Sequence, residues 1–128
     1  MKTRIIAMDI YGTVLCSDDY DNEMPPRKGF LDFSERFVSR GGIMVSSSDS
    51  DLINLKLDLK ESGVDLELFD NFYELSKTRK DYSNIVSDYN IKPSELLVIG
   101  DSTQKDLEGA IDLGCNTILV PEYTFRNK

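Results

Sequence analysis

Five short apolar runs punctuate this chain, and each is separated from the next by a stretch with helical spacing. The runs are Arg4 to Asp9, Gly42 to Ser46, 69–75, Leu96 to Gly100 and Asn116 to Val120. Runs this short and this continuously apolar read as strands buried on both faces rather than strands with one wet side. Between them, Leu31, Phe33, Phe37 and Val38 predict a helix over about 29–40, and Tyr82, Ile85, Val86 and Tyr89 predict another over about 80–90. A helix over about 50–62 is predicted with Ser47-Ser48-Asp49 as its cap, and Leu107, Ala110, Ile111 and Leu113 mark the last one. Gly41-Gly42, Gly63, Lys92-Pro93 and Gly114 supply the stops. Strands alternating with helices in this way imply right-handed crossovers and a parallel sheet covered on both sides. The expected fold is therefore α/β, a single Rossmann-like three-layer domain over residues 1–128 with about five parallel strands and no large cap. Residues of about 15–28 are polar, acidic and contain Pro25-Pro26, so a loop or small flap is expected there.

Composition narrows the chemistry. A chain of 128 residues can build one core but not two. Its net charge of -8 offers no basic stripe to neutralise phosphates, which argues against a nucleic-acid partner. No apolar run approaches the ~18 residues of a membrane span, and Met1-Lys-Thr-Arg4 leads straight into a strand with no signal-peptide pattern. A cytoplasmic location with free thiols is the default expectation. Cys16 and Cys115 lie far apart and histidine is absent, so zinc sites and histidine-dependent nucleophiles are excluded. What is left is carboxylates, lysines, hydroxyls and a hard cation.

Three of the runs end in such groups: Asp9, Ser46 and Asp101. In a parallel sheet the C-terminal strand ends share one edge, so residues distant in sequence can converge there. Two carboxylates brought together repel unless a cation lies between them. Asp9 and Asp101 thus suggest a divalent ion with oxygen ligands, for which Mg²⁺ fits best, and Asp106 could support the pair from one helical turn further on.

At this point the residues resemble a known family. Asp9-Ile-Tyr-Gly-Thr-Val14 resembles the first motif of the haloacid dehalogenase (HAD) superfamily, and Met44-Val-Ser46 its second. Gly100-Asp-Ser-Thr-Gln-Lys-Asp106 is similar to the fourth motif, and Gly109 to Gly114 continue the pattern. A lysine belongs between them, and Lys77 and Lys80 both stand where it should. The resemblance implies that Asp9 is a nucleophile forming an aspartyl intermediate. It implies that Asp9, the main-chain carbonyl of Tyr11 and Asp101 hold Mg²⁺, with Asp106 and Ser102 in support. Ser46, with Ser47 beside it, would bind a phosphoryl oxygen; Gly12 and Thr13 would shape the turn; Lys80, favoured slightly over Lys77, would add positive charge.

Tyr11 departs from the phosphatase pattern, which places a second aspartate there as general acid and base. A tyrosine of reference pKa about 10 is poorly matched to that role at neutral pH, and losing such catalysis costs about 10²–10⁴-fold. The dehalogenases of the superfamily carry Asp-x-Tyr-Gly-Thr, because halide leaves without a proton. They also carry a helical cap and an arginine and work without metal, whereas few residues separate Val14 from Ser46 here and Arg27 and Lys28 are the basic candidates. Arg27 is expected to be a solvated loop residue. The resemblance therefore implies a capless Mg²⁺-dependent phosphatase, slowed by Tyr11. The alternatives are a dehalogenase-like hydrolase and an impaired binding or regulatory module. An open site suits a large phosphorylated substrate, or a homo-oligomer in which a second copy closes it. Tyr20, Phe69, Phe72 and Tyr73 are the aromatics available to an interface, although core burial is expected for the phenylalanines.

Overall fold

The computed structural model describes residues 4–17 and 25–124. Five strands, β1 (Ile5–Met8), β2 (Ile43–Ser48), β3 (Asn71–Glu74), β4 (Leu96–Gly100) and β5 (Asn116–Leu119), form one parallel sheet in the order β3-β2-β1-β4-β5. The connecting helices are α1 (Phe30–Ser39), α2 (Leu52–Glu61), α3 (Ser83–Asp88) and α4 (Glu108–Leu113). The single three-layer α/β architecture is the expected one.

Period-two alternation in the central strand divides the core. Ile6 and Met8 face α1 and α2 and pack with Phe30, Leu55 and Leu59, whereas Ile5 and Ala7 face α3 and α4 and pack with Ile85, Leu107 and Ala110. Chain direction across the sheet reverses between β1 and β4: β2 and β3 extend one way and β5 the other. Open α/β sheets form their clefts at such a switch point, beyond the carboxyl ends of the strands.

Several boundaries differ from the sequence reading, each for a physical reason. β2 continues through the three serines, since Ser47 and Ser48 still pair with Tyr73 and Glu74 of β3. Those serines are therefore strand rather than cap. Asp51 caps α2 instead, its carboxylate accepting from the Asn54 N–H at 3.0 Å. α3 starts at Ser83; ahead of it, Lys80 lies in an irregular lead-in, its N–H donating to the Lys105 carbonyl. A π-helical turn, Thr103–Leu107, precedes α4. Of the expected flap, Leu15 bridges to Pro26, and residues 18–24, including Tyr20, lie outside the described residues. Phe69 is buried and Phe72 half-buried, with their rings 5.2 Å apart. Cys16 is buried and Cys115 half-buried, and the two are not joined in a disulfide. Among the described residues, no helix is long and apolar enough to cross a membrane.

Candidate active site

Asp9 follows the last residue of β1, and its N–H still pairs with the Ile99 carbonyl of β4. The chain then turns at once. The N–H groups of Thr13, Val14 and Leu15 all donate to the Ile10 carbonyl, and Gly12 donates to Leu15. Gly12 adopts φ +86°, and a β-carbon there would lie 2.3 Å from Asp101 Oδ2. Glycine is thus demanded both by the left-handed backbone and by the approach of a second carboxylate. The same turn folds Thr13 back, so that its hydroxyl donates to Asp9 Oδ2 at 3.0 Å.

Arg27 pins this turn from outside. Its guanidinium donates to the carbonyls of Thr13 (2.7 Å), Gly12 (3.2 Å) and Pro121 (2.5 Å) and lies over the Tyr123 ring. Three charge-assisted hydrogen bonds make it a clamp, not the solvated loop residue expected from sequence.

On the α3/α4 side the charges are fully engaged. Lys80 is 1% exposed, with Nζ 2.9 Å from Asp9 Oδ1 and 2.5 Å from Asp106 Oδ1. The other Asp106 oxygen accepts from the N–H groups of Asp101 and Ser102, both at 3.1 Å. Tyr82 donates to the Asp106 carbonyl at 2.7 Å. The π-helical turn makes this possible. It is capped by the Ser102 side chain and delivers the Lys105 carbonyl to the Lys80 N–H.

One carboxylate oxygen from each of Asp9, Asp101 and Asp106 lies within 4.8 Å of the others. Three carboxylates with one ammonium leave the cluster short of positive charge. Burial, then the neighbouring Asp9 and Asp106, push Asp101 up to about 7. Burial also raises Asp9, against the opposing pull of Lys80. Lys80 itself is drawn down by burial, but Asp9 and Asp106 more than offset this and hold it above the usual lysine range. An all-oxygen donor set with excess negative charge fits a hard divalent cation.

Tyr11 points elsewhere. Its hydroxyl donates to Asp58 Oδ2 of α2 at 2.5 Å. Burial, then that hydrogen bond, raises its pKa well above the ordinary tyrosine value.

The cavity above Asp9 has a volume of about 350 Å³ and is lined in part by Tyr11, Ser48, Asp49, Asp101 and Lys105. Lys105 Nζ sits 2.9 Å from Asp49 Oδ2. Ser46 does not reach this cavity: it pairs with Met8, one residue short of Asp9, and its hydroxyl is buried without a partner. Because β2 runs two residues past the predicted end, Ser48 lines the cavity instead. Ser47 is fully buried against Tyr82. Lys77 is exposed, away from the carboxylates that Lys80 joins. Sequence reasoning missed Ser48, Asp49, Asp58 and Lys105. The repeated serines offered a signal for the first; a lone acid on a helix surface and a lysine on a π-helical turn offered none.

A family model described as HAD-hydrolase-like matches residues 79–127, the segment carrying Lys80, Asp101 and Asp106. No curated protein matches significantly. Among solved structures, the fold is similar to an uncharacterized protein from Listeria monocytogenes serotype 4b (TM-score 0.72, 20% identity, 91% of this chain and 77% of that one). It is similar to a predicted phosphoglycolate phosphatase from Haemophilus somnus 129PT (TM-score 0.77, 12% identity, 98% and 88%). It also resembles the N-terminal part of BF1531 from Bacteroides fragilis, which contains a phosphatase domain complexed with Mg (TM-score 0.74, 14% identity). That match covers 95% of this chain and 37% of the other.

Proposed function

We propose that the chain is a hydrolase of the haloacid dehalogenase type, whose family model it matches over residues 79–127, and, within that type, a Mg²⁺-dependent phosphatase acting through Asp9. The observation that carries this reading is the Asp9 carboxylate, held by Thr13 on one oxygen and Lys80 on the other beside Asp101. A carboxylate fixed in one orientation at the floor of an open cavity is suited to in-line attack on phosphorus. Lys80 opposes the upward pull of burial on that carboxylate and balances charge as the phosphoryl group arrives. Gly12 leaves room for Asp101, and Asp106 orients Asp101 through its main-chain N–H. The side chains of Asp9 and Asp101 and the Tyr11 carbonyl would hold Mg²⁺, which when bound neutralises charge on the transferring group. Ser48, in the place expected of Ser46, is the hydroxyl available to a phosphoryl oxygen.

The dehalogenase alternative finds less support. Its halide- or carboxylate-binding arginine would have to be Arg27, whose guanidinium is committed to three main-chain carbonyls. The carboxylate cluster, too, favours a cation over metal-free chemistry. The test is phosphate release from a panel of phosphomonoesters and phosphoanhydrides with Mg²⁺, beside Asp9→Asn. Release that requires both Asp9 and Mg²⁺ is expected; its absence across the panel would remove the proposal.

A further inference from the structure

Among the described residues, no acidic side chain is aimed as a proton donor at a leaving group, and this limits which phosphoryl donors the site can use. Resting on the phosphatase reading above, we propose that the substrates are acyl phosphates, mixed anhydrides whose carboxylate leaves unprotonated, and that the phosphoryl group then persists on Asp9.

Among the described residues, the titratable side chains around the cavity are already paired, and the serines there offer only hydroxyl protons of alcohol acidity. The Tyr11 hydroxyl donates its proton to Asp58, which does not line the cavity. Lys105 is paired with Asp49, and that hydrogen bond holds its ammonium above the usual lysine range. The same pair outweighs the effect of burial on Asp49 and keeps its carboxylate ionised. Ser48 accepts from the Ser50 N–H, Ser102 from the Lys105 N–H, and Glu122 at the rim accepts from the Ser17 hydroxyl. Lys80 is sealed between Asp9 and Asp106, and on the phosphatase reading Asp101 would be taken up by Mg²⁺. The paired charged groups are not free to protonate a departing oxygen, and an alcohol hydroxyl is too weak an acid to do so.

An alkyl phosphate would have to expel an alkoxide about as basic as hydroxide, whose conjugate acid has a pKa near 15.7. An acyl phosphate expels a carboxylate whose conjugate acid has a pKa of about 4. In the first step the Asp9 oxygen bonds to phosphorus as the P–O bond to the acyl group breaks, and the electron pair leaves on the carboxylate. No proton moves. In the second step water attacks the phosphorus of the aspartyl phosphate and the Asp9 oxygen leaves. The water proton goes to a phosphoryl oxygen, since among the described residues no unpaired side-chain base lines the cavity to take it. Release is then slower than transfer, and the phosphorylated protein accumulates.

The experiment compares acetyl phosphate with glycerol phosphate as donors to the whole chain in Mg²⁺, beside Asp9→Asn and a chelated control, reading phosphate release and intact protein mass. The expected result is an Asp9-dependent phosphoryl adduct with acetyl phosphate, and turnover at least about 10²-fold above that with glycerol phosphate. Asp9-dependent turnover of glycerol phosphate within about tenfold of acetyl phosphate would overturn the substrate class while leaving the phosphatase reading standing. Rapid acetyl phosphate hydrolysis with no adduct would overturn the persistent intermediate. No adduct and no Asp9-dependent release from either donor would overturn both proposals.

Discussion

On the α3/α4 side of Asp9, Lys80, Asp106, Tyr82 and two main-chain N–H groups form a closed set of contacts drawn from three elements. On the α2 side, by contrast, the Tyr11 hydroxyl donates to Asp58, a residue of α2 that does not line the cavity. The first side is a charge assembly whose members cannot be removed singly without stranding a buried charge. The second is a tether between a turn and a helix. Side chains at one strand end can therefore be organised by different needs: Lys80 and Asp106 serve the carboxylate, whereas Tyr11 serves the packing of the loop.

The largest expected effect breaks the charged side. Lys80→Met leaves Asp9 and Asp106 buried without their shared ammonium, and unpairing a buried ion costs about 3–5 kcal/mol. Urea denaturation should show a loss in that range; a loss below about 1 kcal/mol would mean that the cluster is solvated and the contrast is weak.

A smaller effect probes the tether. Tyr11→Phe deletes a hydroxyl hydrogen bond at a half-buried position, which should cost about 1 kcal/mol by the same measurement. A cost equal to that of Lys80→Met would place both sides in one cooperative unit.

How much of this was legible differs in the same way. The strands were readable because apolar runs of four to six residues in this alternation have few other uses, and Asp9 and Asp101 were readable because they end such runs. Ser48 was not, because three serines interrupt the apolar signal while main-chain pairing continues beneath them. Lys80 and Lys77 have equivalent spacing, and it is the main-chain bond from Lys80 to Lys105 that ties one of them to the π-helical turn while the other stays exposed. The π-helical turn has no residue period from which Lys105 could be read. Arg27 and Asp58 act through contacts 14 and 47 residues away in sequence, which composition does not encode.

Asp101 gives the mildest perturbation. Its carboxylate is raised to about 7, so the folded protein holds that proton more tightly than the unfolded chain. The stability this proton supplies is therefore lost as pH rises from about 4 to about 7. A cation competes for the same oxygens, so Mg²⁺ affinity should fall about tenfold per pH unit below about 7 and level off above it. Calorimetric titration across that range checks it, and a flat profile would remove Asp101 from the cation site.

The central claim is that the charged side is ready for phosphoryl transfer while proton transfer is missing at position 11. The most direct measurement is glycerol phosphate hydrolysis by Tyr11→Asp, carried with Asp58→Asn to avoid a new carboxylate pair, against the unaltered chain in Mg²⁺. The account predicts a gain of about 10²–10⁴-fold that disappears when Asp9→Asn is added. A properly folded variant with no gain would contradict it.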